Sequence, residues 1–312
     1  MIKIGVSSCL LGQNVRYDGG HKQLKLITKE WLDNFEYIPY CPEVAIGLPT
    51  PRKVIRLVQK GDDISLVESK NPSVDHTQAM TTHSLNYCES LDDISGYILT
   101  SNSPSCGMER VKLYQDASSK VGKKNGVGLF AANLMKKLPN LPIEEDGRLG
   151  DLRIRDNFLT RVYAYKDFQD LLKGKLTRGK IIKFHSKYKY LLMAHYVSGY
   201  KELGKLVAHV KDYDLEEFAE IYISKLMSSL SHKTTKRNHT NTLQHIQGYF
   251  RDEINSEEKQ ELSAVIMKYH GGILPIQAPL TLLKHYLKKY PNNYLEDQVY
   301  FSPYPEELIK IL

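Results

Sequence analysis

The sequence predicts an α/β N-terminal domain with a mainly parallel, Rossmann-like sheet, followed by an all-α C-terminal domain. In the first half, short runs of β-branched and apolar residues alternate with segments of helical spacing, the pattern of βαβ units. From residue 151 onward, apolar residues recur at three- and four-residue spacing. Proline, glycine and acidic residues accumulate at 138–151, so we expect domains at 1–148 and 149–312.

The N-terminal half contains strand-like and helix-like segments in alternation. Its strand candidates are bounded by glycine, proline or polar turns, and its helix candidates carry apolar residues on one face. The predicted strands are 2–8, 37–41, 95–101 and two extended segments around a Gly-Asp-Asp turn in 52–68, and the predicted helices are 21–35, 73–91 and 126–138. The C-terminal half predicts about six or seven helices, with prolines and glycines between them.

The charge is concentrated in the helical half. The formal net charge is +7, and Lys and Arg exceed Asp and Glu by six in residues 151–312 but only by one in residues 1–150. A basic half joined to a nearly neutral half predicts that one part carries out chemistry and the other binds an anionic partner. A basic helical domain without such a partner is the alternative at this point.

Composition excludes several classes of protein. No run of about 18 apolar residues is present, so we expect no membrane span and no membrane partner. The opening "MIKIGVSSCLLG" lacks the charged front and long apolar core of a secretory signal, which predicts a cytoplasmic protein. Four cysteines in a reducing compartment are not expected to form disulfides, so metal binding or catalysis is the better prediction for those that cluster.

Three of the cysteines occupy equivalent places in the predicted sheet. Cys9, Cys41 and Cys106 each follow a predicted strand, and the carboxyl ends of parallel strands meet at one edge, where ligand sites form. Cys88 lies within a helical pattern and is expected to be a small core residue. Three converging thiolates suit zinc or an iron–sulfur cluster, and three unrelated buried cysteines are the alternative.

Four motifs of the N-terminal half together resemble the thiouracil desulfidase family. They are "SSCLLG", "VRYDGG", "CPEVAIGLPTPR" and "SPSCG", in this order over roughly residues 1–145. The helical half contains "FHSKYKYLLMAH", "YKELGKLVA", "KRNHTNTLQHIQGYF" and "GGILPIQAPLTLLKHY", which resemble the YbgA-type helical domain over about residues 175–305. The fused arrangement is similar to the longer desulfidases that remove sulfur from 4-thiouridine in tRNA.

The resemblance implies a [4Fe-4S] cluster held by Cys9, Cys41 and Cys106. It implies that the iron without a cysteine ligand binds the sulfur of a thiocarbonyl, and that water then replaces this sulfur, which departs as hydrosulfide without net redox change. Soft sulfur bound to iron would discriminate a thiolated base from its oxygen analogue. Desulfuration of free bases such as 2-thiouracil, and a non-catalytic adaptor that carries a cluster, are the alternative functions.

Glu43 and Ser103 are the candidate catalytic residues. Glu43 lies two residues after Cys41, close enough to share its pocket, and matches a family glutamate with an acid–base role. A helix-capping carboxylate is the alternative for Glu43. Ser103 matches the serine of the family's SPSCG turn and is expected to orient water or relay a proton. The alternative for Ser103 is a turn serine that hydrogen-bonds its own backbone.

Weaker candidates surround these residues. Arg16 is expected to contact a phosphate or base edge and Tyr17 to stack on a base, with Asp18 beside them, although a surface turn at Asp-Gly-Gly explains the segment equally well. The glycines of "GVGLF" (126–130) open a helix whose free N–H groups favour an anion.

The helical half combines basic and aromatic residues as RNA-binding proteins do, which predicts docking of tRNA. A solvated basic face over packed tyrosines is the alternative. His185 and His195 are not spaced as a metal pair and are expected to be structural. The candidate RNA-binding residues are Lys183, Lys187, Lys233, Lys236 and Arg237.

Overall fold

Eight strands form two four-stranded sheets in the N-terminal part of the chain, whose computed structural model describes residues 1–61 and 63–308. Contacts divide the described chain into two units, the first spanning Met1–Lys166 and the second beginning at Asp167. The predicted limits 1–148 and 149–312 stay a prediction, and residues 309–312 lie outside the described residues. The strands are β1 Ile2–Ser7, β2 Phe35–Tyr40, β3 Ile55–Lys60, β4 Asp63–Glu68, β5 Ile94–Leu99, β6 Val111–Tyr114, β7 Gly122–Gly126 and β8 Ile143–Glu145.

The first sheet is parallel throughout, in the order β2-β1-β5-β8. This confirms the predicted α/β class with a mainly parallel sheet, and strands β1, β2 and β5 lie where the apolar runs predicted them. All six residues of β5 are buried, as expected for a central strand covered on both faces. Because the chain leaves β1 toward β2 and later adds β5 on the other side, the topological switch point lies between β1 and β5.

The second sheet is mixed, in the order β4-β3-β6-β7. Its β3 and β4 are the two extended segments predicted within 52–68, and they pair antiparallel, although residue 62 of the expected turn lies outside the described residues. Strand β3 also pairs in parallel with β6, and β6 pairs antiparallel with β7. Strands β6 and β7 were not predicted, because β7 reads "GKKNG" and carries no apolar alternation.

Two of the three helices predicted in the first unit are present, and one short helix was not predicted. The predicted helices 73–91 and 126–138 appear as α2 Thr77–Glu89 and α3 Leu129–Lys137, and a short helix, α1 Pro42–Ala45, follows β2. The predicted helix 21–35 is wrong, because only Leu26–Glu30 form a single π-helical turn there. The turn buries Leu26 and Ile27, and the segment before it hydrogen-bonds the loop of Cys9 through Lys22 N–H and Leu24 N–H, which excludes a regular helix.

A glycine of β1 makes room for a large buried ring of β5. Gly5 lies beside the Tyr97 ring, and a Cβ at this position would collide with the ring. Tyr97 is fully buried and contacts Phe130 of α3 edge to face, at 5.8 Å between ring centroids. The buried cluster that contains both rings also contains Cys88 and Cys106. Cys88 is thus a core residue, as predicted, and burial raises its pKa to about 11.

The second unit is helical, which confirms the all-α prediction for the described part of this half. Tyr188 and Tyr190 are buried and donate to Asp167 and to the Tyr249 hydroxyl, so these two tyrosines serve packing. In the described residues, no helix is both long and apolar enough to cross a membrane. The helices of the C-terminal half are α4 Leu152–Leu172, α5 Arg178–His195, α6 Val197–Ala208, α7 Leu215–Ser231, α8 Lys236–Gln247, α9 Ser256–His270, α10 Gln277–Lys289 and α11 Asn293–Glu296.

Candidate active site

One cavity of about 560 Å³ lies at the carboxyl edge of the parallel sheet and is lined by Cys9, Cys41 and Cys106. Cys9 follows β1 by two residues, and Cys41 follows β2 directly. Cys106 stands farther from its strand, in a turn seven residues beyond the end of β5. The structure therefore brings together the three cysteines that the strand pattern selected, and their role as ligands stays a prediction.

The turn that carries Cys106 is held by hydrogen bonds within itself and to α3. The Ser103 Oγ accepts from the backbone N–H groups of Ser105 and Cys106, at 3.2 and 3.0 Å. Leu129 N–H and Ala131 N–H, at the start of α3, donate to the carbonyls of Pro104 and Ser105. These helix N–H groups hold the turn, so they are not free for the anion predicted at the "GVGLF" segment.

Gly128 allows this turn to pack directly on the helix start. A Cβ at Gly128 would lie 2.5 Å from the Ser105 carbonyl oxygen and 2.9 Å from the Cys106 nitrogen. Since both obstacles are backbone atoms, they cannot move aside as a flexible side chain would. Glycine is required here for close approach, which fixes the height of Cys106 above the sheet.

Hydroxyl groups at the strand ends contact the sulfur atoms of Cys9 and Cys106. The Cys9 Sγ lies 3.0 Å from the Thr100 Oγ1, across the switch point between β1 and β5. The Ser7 Oγ accepts from Thr100 N–H at 3.1 Å, and the Ser7 side chain also hydrogen-bonds the Cys106 thiol. The network joins Cys9 and Cys106 through Ser7, the last residue of β1, and Thr100, the first residue after β5.

Burial keeps the three thiols protonated in the protein alone. It raises the pKa of Cys9 and of Cys41, in each case against smaller opposing effects of hydrogen bonds and nearby cations. It raises the pKa of Cys106 well above its usual range, and the Glu43 carboxylate adds to this effect, as the Cys41 and Cys9 thiolates do when they are ionised. Three thiolates together are therefore unfavourable until a cation neutralises them.

Glu43 is fixed by a buried ion pair with Arg52. Its Oε2 accepts from Arg52 Nε at 2.7 Å, and Arg52 Nη2 lies at the same distance. Its Oε1 accepts from the Ser105 hydroxyl at 2.9 Å. The exposed fractions of the Arg52 and Glu43 side chains are 4% and 12%. Glu43 also stands in the first turn of α1, where the helix dipole favours a carboxylate. The alternative interpretation, a helix-capping carboxylate, requires a side-chain hydrogen bond at the start of the helix, and the described helix α1 has none.

Arg52 connects three loops around the cavity. Besides Glu43, its guanidinium donates to the Val15 carbonyl at 2.8 Å and to the Pro49 carbonyl at 3.3 Å. Its own backbone N–H donates to the Tyr17 carbonyl at 2.8 Å. The loop after Cys9, the loop after Cys41 and the turn before β3 are thereby held in one arrangement.

The donor set fits a thiolate-bound group larger than one ion. Among the described residues, no three His, Cys, Asp or Glu side chains are grouped closely enough to share a single metal ion. The three thiols instead line one cavity, and Cys41 and Cys9 contribute to the raised pKa of Cys106. Thiolates are the ligands of iron–sulfur clusters, and a cluster occupies more space than one ion.

Only some of the other predicted residues line the cavity. Arg16 and Tyr17 line the cavity, with the Arg16 guanidinium 5.8 Å from the Tyr17 ring centroid. Asp18 is exposed, lies outside the cavity lining, pairs with Arg16 at 3.6 Å and accepts from Gly20 N–H. His185 and His195 contact the Tyr222 hydroxyl and the His232 carbonyl, as expected of structural histidines.

Among the residues that contact the thiols or Glu43, sequence reasoning missed Arg52, Ser105, Thr100 and Ser7. Arg52 and Ser105 stand inside the motifs "CPEVAIGLPTPR" and "SPSCG", and this motif membership was the signal for them. Thr100 is the first residue after β5, at the same edge as Cys9. A hydroxyl residue directly after a central parallel strand marks this position.

Arg52→Met is expected to lower the free energy of unfolding by about 3–5 kcal/mol, because it leaves the Glu43 carboxylate buried without its cation. Urea unfolding followed by fluorescence of Trp31, the one tryptophan of the chain and buried in the first unit, measures this. Arg153→Met, at an exposed position of the same unit, is the control, with an expected change within about 0.5 kcal/mol. Equal effects of the two substitutions would contradict the inferred role of the pair.

Comparison with known proteins covers both halves of the chain. A family model described as 2-thiouracil desulfurase matches residues 4–146, and one described as "Protein of unknown function (DUF1722)" matches residues 189–305. "Uncharacterized protein YbgA" of Escherichia coli (strain K12) is 39% identical over 154 residues, which are 49% of this chain and 91% of that protein. "Uncharacterized protein YbbK" of Bacillus subtilis (strain 168) is 33% identical over 137 residues, which are 41% of this chain and 87% of that protein.

A solved structure of the "[4Fe-4S]-dependent thiouracil desulfidase TudS" is 30% identical in sequence. The match covers 50% of this chain and 97% of that one, with a TM-score of 0.38. The two family models match separate parts of the chain, 4–146 and 189–305. The chain belongs to the 2-thiouracil desulfurase family through its N-terminal half and to the DUF1722, YbgA-type family through its helical half.

Proposed function

We propose that this chain removes sulfur from thiolated uracil, with 4-thiouridine in tRNA as its substrate. Water replaces sulfur at the thiocarbonyl carbon, so that the products are uridine and hydrosulfide plus a proton, and no electrons are transferred. The observation that supports this most strongly is the cavity that holds three cysteine thiols and a fixed carboxylate, Glu43, in a 2-thiouracil desulfurase domain.

Cys9, Cys41 and Cys106 are the proposed holders of a [4Fe-4S] cluster. When bound, the cluster would supply a Lewis-acidic iron with a free position for a soft sulfur atom. The protein would contribute three thiolates and the Thr100 and Ser7 hydroxyls that hydrogen-bond Cys9 and Cys106. The fourth cysteine, Cys88, does not line the cavity and would remain a core residue.

Glu43 is the proposed base for water. Arg52 and Ser105 each engage one of its oxygens, and a carboxylate oxygen has further lone pairs available to accept a proton. Both contacts keep the carboxylate group in one orientation toward the cavity that it lines. A positioned carboxylate of this kind contributes about 10²–10⁴-fold to a proton-transfer step.

Ser103 is the proposed hydrogen-bond donor. A hydroxyl has two lone pairs and one proton, and the Ser103 oxygen already accepts from two backbone N–H groups. The remaining proton is the part of the group available to a ligand in the cavity that Ser103 lines. Ser103 would therefore donate to the substrate or to water. Its hydrogen bonds to the backbone of the turn, which the alternative interpretation expected, are compatible with this role.

RNA docking is proposed for a basic surface at the start of α8, formed by Lys233, Lys236 and Arg237. All three side chains are exposed, and no described residue forms an ion pair with them. Two of them stand in the first turn of α8, where the helix dipole disfavours cations unless an anion is bound. Beside Lys233, the His232 ring stacks on Tyr196 at 4.1 Å, and the exposed Tyr196 ring suits stacking on a base.

Lys183 and Lys187 are the other two candidate RNA contacts. They lie four residues apart on α5 and therefore on one face of the helix. Lys187 is within 3.9 Å of Asp167, an ion pair weak enough to yield to a phosphate. They remain proposed contacts with RNA.

Glu43→Gln is expected to retain iron and to lower sulfide release from 4-thiouracil and from tRNA containing 4-thiouridine by about a hundredfold or more, because the base is lost. Sulfide assay and iron content of the reconstituted full chain measure the two effects. Glu89→Gln, at an exposed carboxylate of α2, is the matched control and is expected to behave as the wild type.

Unchanged turnover in Glu43→Gln would contradict its role as the base. Turnover of free 4-thiouracil without any turnover of the tRNA would instead favour the free-base desulfidase. A fully loaded wild-type chain that releases sulfide from neither substrate would favour the cluster-containing adaptor.

Lys233→Gln together with Arg237→Gln is expected to weaken binding of 4-thiouridine tRNA and to reduce the slope of log affinity against log salt by about two, because two phosphates are no longer neutralised by the protein. Filter binding across a salt series measures this slope. Lys288→Gln, an exposed lysine of α10, is the control. A slope identical to that of the wild type would remove these residues from the RNA interface.

A further inference from the structure

The short strand β8 ends in two buried carboxylates, at the edge of the parallel sheet where the cysteines lie. Glu145 is the last residue of β8 and Asp146 follows it, and both side chains are buried. Strand β8 pairs in parallel with β5, and Asp146 N–H donates to the Leu99 carbonyl at 3.0 Å. Successive side chains along a strand point to opposite faces, and the two carboxylates accordingly contact different loops. Neither lines the cavity, so each would act through other residues.

Asp146 is linked to Cys9 through Lys22. The Asp146 Oδ2 lies 2.7 Å from Lys22 Nζ, and its Oδ1 accepts from Ser101 N–H at 2.8 Å. Lys22 Nζ also donates to the Ser101 Oγ at 2.9 Å, and Lys22 N–H donates to the Cys9 carbonyl at 2.9 Å. Residue 22 is thus held by its side chain at the ends of β5 and β8 and by its backbone at Cys9. Ser101 in turn follows Thr100, whose hydroxyl contacts the Cys9 Sγ, which gives a second route to the same thiol.

Glu145 holds the segment that follows Cys106. Its Oε1 accepts from Met108 N–H, two residues after Cys106, at 2.8 Å. A hydrogen bond from a backbone N–H to a carboxylate is stronger than one between neutral groups. The Cys106 turn is therefore fixed on both sides, before the cysteine by the Ser103 hydroxyl and after it by Glu145.

Buried carboxylates are favourable only where they meet their partners. Taking a carboxylate out of water costs free energy that hydrogen bonds and a nearby cation must offset, and removing one partner leaves the other unpaired. The partners of Glu145 and Asp146 belong to segments that adjoin Cys106 and Cys9. The two carboxylates therefore favour the one arrangement in which both segments stand in place at the edge of the sheet.

We propose that Glu145 and Asp146 are positioning residues, which hold Cys106 and Cys9 at the places from which the two thiolates bind one cofactor. The inference rests on the proposed function for the identity of that cofactor, a [4Fe-4S] cluster. The positioning itself is a property of the chain without it. Residues that orient metal ligands in this way change metal affinity by about 10–100-fold when they are replaced.

Alkylation of the cluster-free full chain by iodoacetamide, followed by mass spectrometry of the cysteine peptides, tests this without iron or turnover. Lys22→Met is expected to speed alkylation of Cys9, and Glu145→Met that of Cys106, by about tenfold or more, because each variant loses a hydrogen bond to a charged group. Cys88, buried outside the cavity, is the internal reference. Loss of stability of the whole unit would speed all of these thiols together.

The direction of the effect at Cys9 separates position from charge. Burial raises the pKa of Cys9, and the Lys22 cation lowers it by a smaller amount. The thiolate is the form that iodoacetamide attacks. Loss of the Lys22 charge alone would therefore raise the pKa and slow alkylation, whereas release of the loop speeds it.

Lys123→Met and Glu36→Met make the same substitutions at exposed positions of the same unit and are the matched controls, with wild-type rates expected for every thiol. Rates in Lys22→Met and Glu145→Met equal to those of the controls, or equal acceleration of Cys88, would overturn the proposal. Glu145→Gln keeps the shape of the side chain and decides in place of Glu145→Met if the latter does not fold, with a severalfold increase expected at the Cys106 thiol alone.

Iron release from the reconstituted chain to a ferrous chelator extends the test to the cofactor. Lys22→Met and Glu145→Met are expected to release iron about tenfold or more faster than the wild type, and the controls at the wild-type rate. The expected alkylation pattern in a chain that releases no sulfide from any thiolated substrate would leave the positioning role standing and remove the proposed function. Sulfide release as proposed, with alkylation rates as in the controls, would remove the positioning role alone.

Discussion

Parallel pairing of β1 with both β2 and β5 is the constraint on which the site depends. Strands that run the same way end at the same edge, and this places Cys9, Cys41 and Thr100 together although they are far apart in the sequence. Gly5, which pairs with Tyr97, leaves the space that the Tyr97 ring occupies against the neighbouring strand. Cys106 reaches the same edge only because its turn packs on the start of α3 through Gly128.

The buried ion pair of Arg52 and Glu43 is a second constraint on the site, and it acts on loops instead of strands. A buried ion pair stabilises the folded state little more than an apolar pair of similar size would, but removing one partner leaves an unpaired buried charge and costs several kcal/mol, about 3–5. The ion pair therefore favours the one arrangement of the loops in which both partners meet. Here it orients the carboxylate beside the thiols and anchors the segment of Arg16 and Tyr17 through the Val15 carbonyl. The cavity is therefore shaped before a cofactor or substrate enters it.

Local patterns in the sequence predicted the central strands, the helical half and the convergence of three cysteines, because each depends on periodicity or on strand polarity. The helix expected at 21–35 failed because contacts with the Cys9 loop, distant in the pattern, override its helical spacing. Strand β7 escaped prediction because GKKNG carries no apolar alternation, and the Arg52 ion pair because its partner nine residues earlier is set by loop geometry and not by a periodic pattern. Motif membership was the only local signal for Arg52.

Iron and acid-labile sulfide per chain, after anaerobic reconstitution, test most directly whether the three cavity cysteines form one ligand set. We expect about four of each in the wild type, as a [4Fe-4S] cluster requires. We also expect a clear loss of both in Cys106→Ser, and wild-type content in Cys88→Ser, where the thiol lies in the core outside the cavity. Full iron content in Cys106→Ser, or equal loss in Cys88→Ser, would contradict a cluster held by Cys9, Cys41 and Cys106.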